Sequence, residues 1–303
     1  MANSKPKILL YNRTTASIEE EIVFEEKQMH FFYNNIIGRF ISGFLLKRKF
    51  VSRFIGNRYN KKSSVKKISP FIEKYNININ EITLPVSEYK SFNHFFTREL
   101  SPQARPICYE PETLISPADA RLLAFKISDE TIFPIKGSHF TLSRLTNCSE
   151  SIKPFINGTC LIYRLAPADY HRFINIDDGY QDKPTTVEGF LHSVNPISLA
   201  TGRKVFIENH REVSFIKTDN FKTILNIEVG ALLVGKIILH KREPGKIERG
   251  KERGYFEFGA STIIQIFQPQ TVIIDNDILE NSAKNVETIV KMGERVGIKY
   301  LIK

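Results

Sequence analysis

The chain has 303 residues, 42% of them hydrophobic and 25% charged, with 23 phenylalanines and no tryptophan. That balance excludes a disordered or fibrous chain and allows one or two globular domains around a large core. The formal charge of +10 favours an anionic partner, whether nucleic acid, a phospholipid surface or an acidic substrate, without choosing among them.

Residues 1–27 are mixed and turn acidic at Glu19, Glu20, Glu21, Glu25 and Glu26. They lack the basic start and continuous apolar stretch of a signal peptide, so a cytoplasmic-side protein is expected. From 29 to 54 the apolar positions 33, 36, 37, 40, 41, 44 and 45 predict one face of a helix, followed by Lys47, Arg48, Lys49, Arg53 and Arg58. Asn34, Asn35, Gly38, Arg39 and Ser42 interrupt the run, which falls short of the roughly 20 apolar residues a membrane span requires. Such a helix either packs on the domain or lies in the lipid interface with its cations near the headgroups. Further helices are expected over 64–75 and 92–100, before a loop at 101–111. Beyond residue 114 the chain reads as short β-branched and aromatic runs at 121–127, 159–165, 185–194, 212–217, 223–240, 255–267 and 271–274. A last helix is expected over 279–291. The three cysteines, Cys108, Cys148 and Cys160, have no CxxC spacing, so neither a disulfide framework nor a usual zinc site is expected. The fold class expected is α+β: an N-terminal helical, membrane-associating region (1–110), then a β-rich core (111–303) built as a barrel or sandwich.

Three positions stand out chemically. Ser261 ends the segment Gly254-Tyr-Phe-Glu-Phe-Gly-Ala-Ser261, where small neighbours leave the preceding peptide bond open to attack, including by the serine's own hydroxyl; the other reading is a bulge in an ordinary strand. Asp119, in a Pro-led turn, can cap local amides or orient an imidazole. His171 follows a proline and an aspartate at the exit of a strand, a loop position rather than an apolar face. Serine, histidine and aspartate supply a nucleophile, a base and an orienting group, but their presence in a chain this long does not by itself make a triad.

A set of motifs in fixed order goes further. They are Phe92-Asn-x-Phe-Phe-x-Arg-x-Leu100, Ala104-Arg-Pro-Ile107, Pro117-Ala-Asp119, Arg164-Leu-Ala-Pro-x-Asp-Tyr-His-Arg-Phe173, Ser193-Val-Asn-Pro196, Asn209-x-Arg211, Val229-Gly-Ala-x-x-Val-Gly235, Lys251-x-x-Gly-Tyr-Phe-x-Phe-Gly-x-Ser-Thr262 and Met292-Gly-Glu294. Together they resemble the phosphatidylserine decarboxylase proenzymes, in the form of the family's type II branch.

The resemblance implies self-cleavage between Ala260 and Ser261 into a β chain (1–260) and an α chain (261–303). Ser261 would become a covalent pyruvoyl cofactor, an electron sink for converting phosphatidylserine to phosphatidylethanolamine without a metal. Asp119 would belong to the relay that polarises the hydroxyl, and His171 would donate the proton that follows loss of carbon dioxide. The implied partners are phosphatidylserine, an anionic membrane surface at the cytoplasmic face, where the protein is peripheral, and the two chains of one precursor. A homo-oligomer is left open, and nucleic acid is not expected because no binding motif accompanies the charge. The sequence departs from the family pattern at Ala120 and Ala260, where glycine is usual, and at Ile174, where a second histidine is usual. His192 is a candidate substitute for that histidine. The alternative function is an unprocessed homologue that binds anionic membrane or lipid without catalysis.

Overall fold

The computed structural model describes residues 8–22, 56–128, 132–135, 138–148, 151–194, 198, 204–231, 236–259 and 261–301. The apolar helix expected over 29–54 and the cleavage-site residue Ala260 lie outside the described residues.

An 11-stranded sheet carries the molecule. Across it run Gly245–Ile247, Gly179–Gln181, Arg211–Thr218, Thr223–Gly230, Ser261–Phe267, Thr159–Leu165, Ala120–Lys126, Glu287–Val290, Leu9–Asn12 and Ser17–Glu20, with Thr185–Val187 paired to the first residues of Arg211–Thr218. Neighbours are antiparallel except Leu9–Asn12, which runs parallel to Glu287–Val290. The central strands are β-branched and apolar on both faces, and every residue of Ser261–Phe267 is buried.

The expected mixture of helix and sheet is present, with two corrections. The sheet is open: its path ends at Gly245–Ile247 on one side and at Ser17–Glu20 on the other, so it does not close into a barrel. Ser17–Glu20 is a short, mostly exposed strand whose Glu19 and Glu20 discourage further pairing, which is how an edge is left safely unclosed. And the described residues nearest the N-terminus form a β-hairpin of the main sheet rather than a helix, because Leu9, Leu10 and Tyr11 extend the row beside Glu287–Val290.

The helix expected over 64–75 begins as a 3-10 turn, Lys62–Lys67, and continues as Ile68–Tyr75, ended by Asn76 in the left-handed conformation at φ 49°. The next helix is only Phe92–Phe96, capped by Ser91 Oγ accepting from the His94 amide at 3.1 Å. The last helix lies earlier than expected, at Asn276–Ala283. The following Thr288, Ile289 and Val290 pair with Ala120–Arg121–Leu122 as a strand, as β-branched residues prefer.

A three-stranded sheet of Ile237–Leu239, Glu252–Phe256 and Arg172–Ile174 flanks the main sheet. Gly254 is required there, because a Cβ at that position would stand 2.0 Å from the Ile238 carbonyl oxygen. Beside the main core, Ile68, Phe71, Tyr89, Phe92, Phe95, Phe96 and Phe258 form a second apolar cluster. Among the described residues no helix is long and apolar enough to cross a membrane.

Candidate active site

Ser261 opens a central strand, in register with Gly230 on one side and Leu165 on the other. Its Oγ lies 3.4 Å from His171 Nδ1, and both residues are wholly buried. The other ring nitrogen, Nε2, is 3.0 Å from the Ala166 carbonyl oxygen. A carbonyl only accepts, so Nε2 carries the hydrogen and Nδ1 turns its lone pair toward the serine hydroxyl. Burial, followed by the nearby charge of Arg98, pushes the His171 pKa down to about 3, against the opposing effect of the Ala166 carbonyl. The ring is therefore a neutral acceptor facing the Ser261 hydroxyl.

Local sequence explains the placement. After the strand Thr159–Leu165 the chain turns, with Asp169 N donating to Ala166 O at 2.9 Å and Ala166 N donating to Asp169 Oδ2 at 2.7 Å. Arg121 pairs with the same Asp169 carboxylate. His171 is tied through its carbonyl, which accepts from Phe256 N at 3.0 Å, and its ring lies 4.1 Å from the Phe96 ring, centroid to centroid. Helix Phe92–Phe96 also holds the approach to Ser261. Asn93 Oδ1 accepts from Phe258 N at 2.8 Å, and Phe258 lies edge-on to Phe92 and Phe96 at 5.0 and 5.1 Å. Gly259 then takes φ 144°, a conformation that favours glycine, two residues before the serine.

Asp119 sits elsewhere in the network. Its carboxylate accepts from Arg105 Nε at 2.8 and 3.1 Å, from Arg105 Nη2 at 2.6 Å, and from the Met292 amide at 2.9 Å. Among the described residues it makes no hydrogen bond to His171 or Ser261. The Met292-Gly-Glu294 motif thus cradles Asp119 through backbone. Ile174, at the position of the usual second histidine, is buried, and its amide donates to Pro117 O at 2.9 Å. His192 is buried too, with Nε2 3.4 Å from Glu208 Oε2. Asn209 joins it to the sheet, donating to His192 O at 2.8 Å and to Gly230 O at 2.7 Å, and Gly230 is the register partner of Ser261.

The structure thus brings Ser261 and His171 together and seats Asp119 on Arg105. Sequence reading gave no role to Asn93, Phe96 or Arg98. The available signal was the spacing of Asn93 and Phe96, three apart on a helix, which turns both toward one neighbour.

A family model described as phosphatidylserine decarboxylase matches residues 92–298. The chain belongs to the phosphatidylserine decarboxylase family. It is 42% identical over 295 residues to a phosphatidylserine decarboxylase proenzyme of Clostridium beijerinckii, covering 97% of this chain and 100% of that one. It is 41% identical over 293 residues to the proenzyme of Clostridium novyi, covering 96% and 99%. It is 42% identical over 290 residues to phosphatidylserine decarboxylase proenzyme 2 of Clostridium acetobutylicum, covering 96% and 98%. Several of the phosphatidylserine decarboxylase motifs quoted above have structural explanations here. Arg164 is buried and pairs with Glu287 and Glu21. Arg211 donates to the carbonyls of Arg144, Leu145, Ile207 and Asn209, and burial lowers its pKa to about 10.

Proposed function

We propose that the chain is a self-processing decarboxylase that converts phosphatidylserine to phosphatidylethanolamine with a pyruvoyl group made from Ser261. The observation that carries this reading is the Ser261 hydroxyl facing the Nδ1 lone pair of a neutral, buried His171, just after the Gly259 turn.

Processing draws on these residues in turn. His171 Nδ1 takes the hydroxyl proton as Ser261 Oγ bonds to the Ala260 carbonyl carbon. The carbon–nitrogen bond breaks, the nitrogen takes up a proton, and an ester joins the two halves. Removal of the Ser261 Cα proton expels the Ala260 carboxylate, leaving a carbon–carbon double bond in residue 261. Water then replaces the nitrogen, which departs as ammonia, so that the α chain (261–303) starts with the keto group and the β chain is 1–260. The pyruvoyl group, once formed, supplies an acceptor for the electron pair released as carbon dioxide leaves. The Phe96 ring against His171, with Phe258 edge-on to it, makes one wall of the site apolar. His171 Nδ1, 3.4 Å from Ser261 Oγ, is proposed to take a proton from the substrate's ammonium and return it to the carbon that loses carbon dioxide. Asp119, through Arg105 and Met292, positions the Pro117-Ala-Asp119 turn against the Arg172–Ile174 strand rather than touching the serine.

The family resemblance and the basic residues at 47–58 support a peripheral protein held at an anionic, cytoplasmic-face membrane by residues 1–110, with 111–303 as the catalytic part. Intact mass tests the reading. The 34.9 kDa chain should give way to two species, the smaller about 5 kDa and lacking a free terminal amine. Ser261→Ala should stay whole and release no carbon dioxide from phosphatidylserine. A wild-type chain that remains whole through long incubation would instead be the non-catalytic lipid-binding homologue.

A further inference from the structure

We propose that Arg98 is the seat for the substrate's phosphodiester, a cation left open beside the Ser261–His171 pair; the proposal rests on the phosphatidylserine reading above. Arg98 is 5% exposed, and its guanidinium carbon lies 5.2 Å from the Phe95 ring centroid. Its Nη2 reaches the Ala168 and Asp169 carbonyl oxygens only at 3.5 Å, the limit of a hydrogen bond. Its Nε and Nη1 make no hydrogen bond among the described residues.

Other buried or half-buried arginines are answered. Arg105 has Asp119, Arg121 has Asp169, Arg164 has Glu21 and Glu287, Arg253 has Glu228, Arg249 donates to the carbonyls of Cys108, Ile176 and Thr113, and Arg211 donates through all three nitrogens to four carbonyls. Burying a cation with neither a counter-charge nor a full set of acceptors is unfavourable, and among the described residues Arg98 has neither, so it has donors free for an anion. The one carboxylate whose charge is found to act on Arg98 among the described residues, Asp119, is already held by Arg105.

Position identifies the anion's place. Ala168 and Asp169 belong to the turn that delivers His171, and Phe96, two residues before Arg98, lies against the His171 ring. Arg98 therefore borders the reacting centre. Phosphatidylserine carries two anionic groups, and reactivity chooses between them. The carboxylate loses its charge as carbon dioxide leaves, so a buried cation on it would hold the ground state more tightly than the transition state and slow the step. The phosphodiester keeps its charge throughout and offers two oxygens to the planar guanidinium fork. Only a few bonds separate it from the reacting amine, so a contact there holds the headgroup without opposing the chemistry.

Kinetics of the processed enzyme test this, with cleavage of each variant checked by mass. Arg98→Gln should raise KM for micellar phosphatidylserine at least tenfold with kcat little changed, and should weaken inhibition by glycerophosphocholine, which has the phosphodiester but no carboxylate, by a similar factor. Arg98→Lys, which keeps the charge and loses the fork, should fall between. A lower kcat at unchanged KM, or unchanged inhibition by glycerophosphocholine, overturns the assignment, the latter pointing to the carboxylate. If the glutamine variant does not fold and cleave, the lysine variant decides alone: wild-type KM and inhibition overturn the proposal, and so does failure of both variants to fold, which would make Arg98 a structural cation. Absence of any carbon dioxide release by the wild-type enzyme would refute the substrate reading itself, a different result from full affinity in an Arg98 variant of an active enzyme.

Discussion

His171 is wholly buried with its pKa down at about 3, against the ordinary 6.5. The imidazole therefore stays a base across the range in which an exposed histidine would become charged. The cleavage rate should show no fall centred near pH 6.5 when the whole-chain mass signal is followed between about pH 5 and 8. A tenfold loss per pH unit below 6.5 would show that the ring meets solvent. Stability has the matching sign. Above about 6.5 neither folded nor unfolded histidine is protonated and its contribution is fully present; as pH falls from there toward 3 the unfolded chain takes a proton that the buried ring refuses, and stability declines. His171→Gln should flatten that part of the urea-midpoint profile and slow cleavage about 10²- to 10⁴-fold. At this scale neither segment by itself showed that Ser261 and His171 meet: small neighbours also fit a bulge and a loop histidine is common, and only the motifs of the resemblance linked the two. The partners of Asp119 were not legible either. Arg105 and Met292 lie 14 and 173 residues away in sequence, and nothing in a Pro-led turn announces a distant guanidinium or amide.

At the scale of elements, the helix Phe92–Phe96 has five residues, too few to persist alone, so its packing holds it. Three of its side chains are buried, and Phe96 and Asn93 connect it to His171 and Phe258. Phe96→Ala should cost about 3–5 kcal/mol in urea unfolding and slow cleavage, since the wall behind His171 goes with it. Asn93→Ala should cost only about 1 kcal/mol yet also lengthen the cleavage half-time, because Phe258 and the Gly259 turn lose their anchor. An Asn93→Ala chain that cleaves at the wild-type rate would show that the anchor is irrelevant to processing. The cluster Phe92, Phe95 and Phe96 made this helix legible, whereas its target, 165 residues further on, left no local trace. The last helix was misplaced for a different reason. Val286, Ile289 and Val290 fit a helical spacing, but pairing with Ala120–Arg121–Leu122 decided the segment as strand.

Across the whole molecule, the N-terminal hairpin is part of the sheet that holds Ser261, and Glu21 just beyond it is clamped between Arg121 and Arg164, with only 4% of its side chain exposed. Glu21→Ala should destabilise the protein by about 3–5 kcal/mol, because two buried guanidinium groups lose a shared partner; a urea midpoint within error of wild type would show that Glu287 and Asp169 suffice. Sheet closure was not legible, since alternation along strands is the same in an open sheet and a barrel and only the pairing of the outermost strands distinguishes them. The register of Ser261–Phe267, flanked by Thr223–Gly230 and Thr159–Leu165, bears on the reversibility of folding. The precursor folds as one chain, but a break before residue 261 leaves the central strand on a separate piece, gripped on both sides by the other. Such an enzyme keeps its shape while folded. With the proposed cleavage, pieces melted at high dilution must find each other again by collision, so recovery should depend on concentration for the cleaved form and not for the whole chain.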